Sequence, residues 1–343
     1  MTRFAIAPRD AGQRLDKFLR GAAPRLPAAL LYKALRTKHV KRNGARAQGG
    51  DRLQAGDVVE CWLADEFFAP LEAPAWQYDF LGAGKELTVL YEDAHALLLD
   101  KPAGLLSHPD QDEYVDTLLG RVQRYLYEKG EYAPSQEGAF APALANRIDR
   151  NTQGIVIAAK TAEALRVLNE KMKRRELRKF YLCAVRGAPS AGEPLRDGWR
   201  LLRGWLSKDE GKSLARVYDA PRPGAKEILT RYRIACPLSP DSSLLEVELL
   251  TGRTHQIRAQ LAAVGHALVG DGKYAPRAQY QGDRASGQKR QCLCAYRLAF
   301  AFQSPAGALE SLNGLVISVR DVAFLRESFP AVWREWKTAQ ENF

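Results

Sequence analysis

The sequence predicts an α+β fold in which a mixed, mainly antiparallel sheet forms the larger part and a small α/β domain precedes it. Short apolar runs bounded by turn residues outnumber the helical segments, and their hairpin-like spacing is typical of antiparallel strands. Hydrophobic residues make up 46% and charged residues 27% of the 343 positions, as in ordinary globular proteins. This length predicts two or three domains with room for a buried core.

Several protein classes are excluded by what the sequence lacks. No apolar run reaches the roughly 18 residues that a membrane-spanning helix needs, and the segment MTRFAIAPRDAGQRL has no apolar stretch of the kind found in secretion signals. The five cysteines form no CxxC pair, and the five histidines show no metal-binding pattern. We therefore expect a cytoplasmic protein with no bound metal and no membrane contact.

The first 65 residues predict a small domain of two helices and a hairpin. Apolar residues at helical spacing indicate a helix near 15–19, and a second helix follows Pro27, which suits a first helical turn. Asn43-Gly44 favours a tight hairpin turn, and the run at 58–62 predicts the next strand. We assign residues 1–65 to this domain.

This first domain is strongly basic. It holds 13 Lys and Arg against 6 Asp and Glu, which is +7 of the chain's total of +11. A basic run is often no more than a solvated face, but here the charges fall at a helix end and a turn, where they form a compact phosphate-binding surface. The residues of this predicted phosphate-binding surface, which would contact the backbone of a nucleic acid, are Arg36, Lys38, Lys41, Arg42 and Arg46.

Residues 66–86 are rich in Pro, Gly and Ala and predict a linker. Within them, the sequence GAGK at 82–85 is similar to part of a phosphate-binding loop. The pattern fails because Glu86 stands where Ser or Thr should follow the lysine, and Asp79 stands where the first glycine should be. We therefore expect no nucleotide site in this segment.

The apolar pattern of residues 87–343 predicts one larger domain of strands and helices. Continuous apolar runs indicate buried strands, and apolar residues three and four positions apart indicate helices. Helices are predicted over 161–176 and from about His255 to Val264, the latter ending at Gly265. Strands are predicted at 87–92, 96–104, 154–160, 180–185, 244–250, 292–302 and 314–319.

A polar loop before one of these strands carries a single carboxylate between two arginines. Asp149 lies between Arg147 and Arg150 in the stretch ANRIDRNTQG. Neighbouring arginines favour the ionised carboxylate, which would make Asp149 a competent nucleophile or base near neutral pH. A surface ion pair would give the same pattern, so this stretch alone leaves both interpretations open.

A second polar stretch, TGRTHQIR at 251–258, lies at a strand-to-helix junction. If Thr254 caps the helix, Arg258 lies one turn along it and can face the interior. A buried arginine needs a carboxylate partner, and such a pair fixes geometry more than it adds stability. Taken alone, this stretch is also open to a purely structural interpretation.

Together, these stretches resemble the motifs of the RluA-type pseudouridine synthases, in the order and approximate spacing of that family. The resemblance runs from about residue 87 to residue 320. Residues 1–65 resemble the small RNA-binding domain that a ribosomal small-subunit protein shares with tyrosyl-tRNA synthetases. The motifs are LTVLYED at 87–93, LDKPAG at 99–104, NRIDRNTQG at 146–154, KFYLCAVRG at 179–187, LLTGRTHQIR at 249–258 and HALVGD at 266–271.

The resemblance implies roles for individual residues. Asp149 falls on the family's essential aspartate, and Tyr181 falls on the active-site tyrosine that lies against the target base. Arg258 falls on the basic residue that pairs with the aspartate. Arg147 matches the arginine that helps to displace the target nucleotide and contacts the RNA backbone, and Ile257 matches the apolar residue beside the base.

The resemblance also implies a function, the isomerisation of uridine to pseudouridine in structured RNA by a monomer that needs no cofactor. Large-subunit ribosomal RNA is the first candidate substrate and transfer RNA the second. Asp149 would act by covalent attack on the sugar or by removing a sugar proton, and the sequence leaves both routes open. Asn146 stands where the family usually has His, which keeps a catalytically decayed RNA-binding or ribosome-assembly factor as the alternative. A nuclease is disfavoured because its magnesium would need a carboxylate cluster.

Overall fold

Two sheets organise the chain in the computed structural model, which describes residues 1–23, 25–68, 75–110, 113–134, 140–209 and 214–341. The four-stranded sheet is formed by the N-terminal residues, and the twelve-stranded sheet is formed by the rest. Within these described ranges, no helix is long and apolar enough to cross a membrane.

The N-terminal part has the two helices and the hairpin that its sequence predicts. Its elements are β1 (Thr2–Ala5), α1 (Leu15–Ala22), α2 (Ala28–Arg36), β2 (Val40–Arg42), β3 (Ala45–Arg46) and β4 (Val58–Cys61), with strand order β1-β4-β2-β3. Asn43 and Gly44 join β2 to β3 with φ angles of 53° and 74°, the geometry for which Asn-Gly is favoured. Leu15, Leu31 and Val59 are fully buried and join both helices and the sheet in one core.

The larger part alternates strands and helices. Its strands are β5 (Thr88–Glu92), β6 (Ala96–Lys101), β7 (Ala143–Leu144), β8 (Gln153–Ala159), β9 (Leu177–Arg186), β10 (Glu193–Pro194), β11 (Arg200–Asp209), β12 (Leu214–Tyr218), β13 (Lys226–Ser239), β14 (Ser242–Leu249), β15 (Leu293–Phe300) and β16 (Val316–Ser318). Its helices are α3 (Leu118–Glu128), α4 (Ala162–Lys173), α5 (Gln256–Ala263), α6 (Arg277–Ala285), α7 (Ala323–Ser328) and α8 (Pro330–Glu341). The central strands of the sheet lie in the order β10-β11-β13-β14-β9-β15-β8-β6-β5.

The strands of the larger sheet pair antiparallel except where β8 lies parallel to β15. At that contact Gly154 has a φ of 127°, and a Cβ there would lie 2.3 Å from the carbonyl oxygen of Ala295. A residue with a side chain at position 154 would therefore force the two strands apart. This mixed, mainly antiparallel sheet confirms the predicted α+β class.

The two faces of the larger sheet bury separate cores. Because side chains alternate along a strand, Tyr181 of β9 and Val247 of β14 face one core together with Ile257 of α5. Phe180 of β9 faces the opposite core, which α4, α7 and α8 cover. Alternate side chains of β9 therefore point to opposite faces of the sheet. Those on one face line the site described below, and those on the other face pack in the second core.

Both helices predicted for the larger part are present, with shorter bounds. The helix α4 follows Thr161, whose hydroxyl accepts a hydrogen bond from the Ala164 amide at 3.1 Å. Thr254, considered above as a cap for the other helix, does not occupy the N-cap position. His255 precedes α5 in the left-handed backbone region, with a φ of 57°, and its side chain makes no capping hydrogen bond.

The domain boundaries at residues 65 and 86 stay a prediction. Within the expected linker, residues 69–74 lie outside the described residues. The turn Ala75–Gly82 that follows them packs on α3, where Phe80 is buried in the core of the larger part. Arg124 of α3 donates hydrogen bonds to the carbonyl oxygens of Leu81 and Ala83. These contacts fix the second half of the segment to the larger part.

Candidate active site

The loop between β7 and β8 carries Asp149, and a buried lysine holds this loop in place. Lys101 at the end of β6 is fully buried, and its ammonium donates hydrogen bonds to the carbonyl oxygens of Pro102, Leu105 and Arg150 at 2.9, 2.7 and 3.0 Å. Three carbonyl acceptors satisfy the three donors of an ammonium group. The bond to Arg150 ties the loop of Asp149 to the segment after β6.

Further hydrogen bonds join the same two segments. Ser107 donates to the carbonyl oxygen of Ile148 at 2.9 Å, and the Gly104 amide donates to that of Arg150 at 2.7 Å. The Arg150 guanidinium in turn donates to the carbonyl oxygen of Gly104 at 3.1 Å. Arg150 thus holds the loop, and the cation that binds Asp149 comes from a distant segment.

That cation is a buried arginine of α5. Arg258 is 4% exposed and donates from Nη1 to Oδ2 of Asp149 at 2.8 Å. Its Nε and Nη2 bind the two carboxylate oxygens of Asp271 at 2.8 and 2.9 Å. The guanidinium therefore lies between two carboxylates, of which Asp149 is 23% exposed and Asp271 is fully buried.

The pairing keeps Arg258 and Asp271 charged despite their burial. Burial alone would lower the pKa of Arg258, but the hydrogen bonds and negative charges of Asp271 and Asp149 outweigh it and raise that pKa above its usual range. Burial would raise the pKa of Asp271, but the Arg258 guanidinium outweighs this effect and lowers it. Arg258 is therefore a permanent cation beside Asp149.

Gln256 fixes the start of the helix that carries Arg258. Its side chain is buried, and its oxygen accepts hydrogen bonds from the Arg253 amide at 3.1 Å and the Thr251 hydroxyl at 3.0 Å. Its amide group donates to the carbonyl oxygen of Leu229 on β13 at 3.2 Å. The polar stretch at 251–258 is thereby tied to the sheet, which fixes the first helical turn, where Arg258 lies.

Asp149 lines a cavity of about 510 Å³ together with the other residues predicted for the site. Tyr181 and Ile257 are 8% and 4% exposed and give the cavity an aromatic and an apolar wall. Burial, with the negative charge of Asp149, raises the pKa of the Tyr181 phenol, so the phenol is neutral at physiological pH. Arg147 lines the cavity from an exposed position. The structure thus brings these residues and Arg258 together.

The cavity is electropositive. Asp149 is the one carboxylate among the lining residues that the structure describes. The basic lining residues are Arg147, Lys173, Lys179, Arg253 and Arg258. This arrangement suits a flat, uncharged group beside Asp149 with phosphate groups around it. In the described ranges, no three His, Cys, Asp or Glu side chains are grouped as a metal site would require.

Known proteins are similar to this chain in sequence. A family model described as RNA pseudouridylate synthase matches residues 95–263. The ribosomal large subunit pseudouridine synthase C of Salmonella typhimurium is 31% identical over 86% of this chain and 87% of its own length. The same enzyme of Vibrio vulnificus is 31% identical over 78% of each chain. The chain belongs to the RluA-type family of pseudouridine synthases.

The synthase is therefore an isomerase that converts uridine to pseudouridine in RNA, as its sequence predicts. Its fold is similar to that of a solved structure. The structure of human RNA pseudouridylate synthase domain containing 4 matches 76% of this chain and 98% of its own, with a TM-score of 0.55 and 18% identity.

The N-terminal residues predicted to contact RNA do not line the cavity of the synthase. They lie at the end of α2 and on the β2–β3 hairpin, and they are Arg36, Lys38, Lys41, Arg42 and Arg46. Lys41 lies 5.0 Å over the ring of Trp62, and Arg42 forms an ion pair with Asp57 at 2.7 Å. Arg36, Lys38 and Arg46 are exposed. Their role in RNA binding stays a prediction.

Three residues of the synthase site received no role from the sequence. Asp271 closes the motif at 266–271, but a single Gly-Asp pair does not show which arginine it will bind. Lys101 lies within LDKPAG, where its burial depends on three carbonyl groups brought together by folding. His255 places Nε2 3.8 Å from Oδ2 of Asp149. The one sequence feature that could have indicated a site role for His255 is its position three residues before Arg258.

Proposed function

We propose that this synthase modifies uridines in large-subunit ribosomal RNA, with Asp149 as its nucleophile or base. The observation that carries the proposal is the Asp149 carboxylate, which Arg258 binds through one oxygen inside the electropositive cavity. Relatives named as large-subunit ribosomal enzymes support the choice of RNA. The proposal includes a monomeric protein that acts in the cytoplasm.

The reaction rearranges one nucleotide and consumes nothing. The N1–C1′ glycosidic bond of uridine breaks, a C5–C1′ bond forms, the C5 proton is released and N1 gains a proton. A carboxylate can start this sequence by attacking C1′, as in retaining glycoside hydrolysis, or by removing a sugar proton. Both routes require a carboxylate oxygen that faces the sugar, and both require that water be kept from the reacting atoms. The buried walls formed by Tyr181 and Ile257 keep water away.

The target base must leave its stack to reach this cavity. Extrusion of a base from a helix costs a few kcal/mol. Stacking on an aromatic side chain returns about 1–3 kcal/mol, so Tyr181 can offset much of that cost. Because the Tyr181 phenol is neutral, it places no charge against the uracil ring during the rearrangement.

Lys179 is well placed to bind a phosphate next to the target nucleotide. It lies on β9 two residues before Tyr181, so both side chains leave the same face, with Cα atoms about 6.6 Å apart. Burial lowers the pKa of Lys179, and no carboxylate that the structure describes forms an ion pair with it. A Cβ at Gly252 would lie 3.5 Å from the Lys179 ammonium, so the charge sits beside the 251–258 stretch.

Lys179→Met is expected to raise KM for RNA more than it lowers kcat. Loss of one phosphate contact should also reduce the slope of log affinity against log salt by about 1. Filter binding between roughly 50 and 200 mM salt measures the slope. Lys179→Arg keeps the charge and should keep the slope. A slope that stays the same in Lys179→Met would exclude the phosphate contact.

The exposed arginines of the N-terminal part give a second binding prediction. Replacing Arg36 and Arg46 together with Gln should weaken RNA binding and reduce the salt slope by about 2, while kcat at saturating RNA stays near that of the wild type. The matched control is Arg203→Gln on β11, an exposed arginine paired with Glu227 at 2.8 Å. Equal salt slopes for the double variant and the wild type would mean that this part does not anchor the RNA.

The alternative function, a catalytically decayed factor, depended on Asn146. In the structure Oδ1 of Asn146 accepts a hydrogen bond from the Ile157 amide at 2.8 Å, and Nδ2 donates to the Ile155 carbonyl oxygen at 3.4 Å. Asn146 thus joins the loop to β8 by bonds that need no proton transfer. The Asp149–Arg258 pair is complete beside it, which favours an active enzyme.

Tritium release from RNA labelled at C5 of uridine tests the proposed function. Unmodified large-subunit ribosomal RNA, small-subunit ribosomal RNA and transfer RNA are incubated separately with the full chain. Release from large-subunit RNA alone is the expected result, and sequencing then locates the modified uridine. Release from transfer RNA alone would replace the proposed substrate, and RNA binding without release from any of the three would favour the decayed factor.

A further inference from the structure

His255 is held in an uncommon backbone conformation next to Asp149. Its φ of 57° lies in the left-handed region, which costs free energy for a residue with a side chain. The side chain is 12% exposed and lines the cavity. Such a conformation persists when surrounding contacts fix it, and the hydrogen bonds of Gln256 to the same turn provide them.

The hydroxyl group of Tyr274 lies within hydrogen-bond distance of one ring nitrogen of His255. The Ala215 amide donates a hydrogen bond to Oη of Tyr274 at 2.8 Å, so this phenol oxygen already acts as an acceptor. Oη also lies 2.8 Å from Nδ1 of His255, and the phenol proton is available for that bond. When the phenol donates this bond, Nδ1 is the acceptor and the neutral imidazole carries its proton on Nε2.

The same tyrosine holds the rest of the arrangement. Its ring packs edge-on against the imidazole, with centroids 5.6 Å apart, and the Arg258 guanidinium lies 5.2 Å from its centroid. Burial lowers the pKa of His255 more than the charge of Asp149 raises it, and the positive charge of Arg258 lowers it further. The imidazole is therefore neutral at physiological pH.

Two donors thus face one oxygen of the reacting carboxylate. Nε2 of His255 lies 3.8 Å from Oδ2 of Asp149, and Nη1 of Arg258 binds that same oxygen at 2.8 Å. The first distance is about 1 Å longer than an N–H···O hydrogen bond. No donor in the described part of the chain binds Oδ1 of Asp149.

We propose that His255 is a positioning residue for Asp149. In the tautomer set by Tyr274, its Nε2–H group and Arg258 hold Oδ2 on one side, and this directs Oδ1 at the ribose of the extruded nucleotide. The inference rests on the proposed role of Asp149 as nucleophile or base. The imidazole itself exchanges no proton with the substrate.

Three variants test this role in steady-state tritium release. His255→Leu removes the donor and should lower kcat by about 10²-fold, the effect of misplacing a reacting group, while KM for RNA changes less than twofold. His255→Gln has an amide N–H that can reach Oδ2 and should recover most of the lost rate. Tyr274→Phe keeps the ring but no longer sets the tautomer, and it should lower kcat by about tenfold.

The controls separate positioning from folding and from the proposed function. All three variants should have melting temperatures within a few degrees of that of the wild type. A purely structural role for His255 would instead lower the melting temperature, and it would not make the Gln variant faster than the Leu variant. A wild-type kcat in His255→Leu, or equal rates for folded Leu and Gln variants, would overturn the inference. Asp149→Asn is measured in parallel. If that variant stays active, the proposed role of Asp149 fails; if it is inactive while His255→Leu is unaffected, the positioning role alone fails.

Discussion

Asp149→Asn is expected to abolish pseudouridine formation, with kcat reduced by more than about 10³-fold. The amide has nearly the size of the carboxylate, but it neither attacks a sugar carbon nor accepts a proton, so both candidate routes fail. The Arg258 donor lies 2.8 Å from Oδ2, and an amide oxygen can accept the same bond, so the fold should be retained.

Tritium release at saturating RNA measures the rate, and filter binding measures affinity, which should stay within a few-fold of the wild type. Asp241→Asn is the matched control, because Asp241 is an exposed carboxylate that pairs with Arg186 at 2.8 Å away from the cavity. The control should keep the wild-type rate. Comparable activity in Asp149→Asn would show that this carboxylate is not the reacting group.

Arg258→Met should cost both activity and stability. The substitution leaves Asp271 fully buried without a counter-charge and frees Asp149 from its one arginine contact. Removing one partner of a buried ion pair destabilises a protein by about 3–5 kcal/mol. Chemical denaturation measures the loss, and an unchanged midpoint and rate would contradict the pairing.

The double variant Arg258→Met with Asp271→Asn separates the two effects. It removes the unpaired Asp271 carboxylate as well, so its free energy of unfolding should exceed that of Arg258→Met alone, while activity stays lost because Asp149 still lacks its cation. The pH dependence gives a further check. In the wild type the pKa of Asp271 is lowered from 3.8, so its stabilising contribution is present above that pH and is lost as the pH falls below it. In Arg258→Met burial should raise this pKa, so stability should fall as the pH rises above about 4.

Features that depend on neighbouring residues could be predicted from the sequence. The hairpin turn at Asn43-Gly44 and the start of α4 at Thr161 are set by residues within a few positions, and both are present. The α+β class follows from the same local patterns. The pairing of Arg258 with Asp149 joins residues 109 positions apart, and its expectation came from family resemblance rather than from local pattern.

The remaining features depend on contacts that only the folded chain makes. The parallel contact of β8 with β15 requires Gly154 to meet Ala295, and no local pattern pairs these residues. The second carboxylate on Arg258 and the left-handed His255 arise where α5 meets the sheet. Arg150 is the clearest case in which sequence proximity does not predict the partner of a side chain. It is adjacent to Asp149 in sequence, but its guanidinium binds the Gly104 carbonyl oxygen.

The hydrogen bonds of Lys101 and Ser107 restrict how far the enzyme can change shape when the RNA binds. They fasten the backbone on both sides of Asp149 to a segment more than 40 residues earlier in the chain. Since moving this loop away would take a carbonyl acceptor from a fully buried ammonium, the carboxylate has little freedom to follow a misplaced ribose. The adjustment then falls to the nucleic acid, and an RNA that unpaired and bent easily around its uridine would be modified faster than a rigid one.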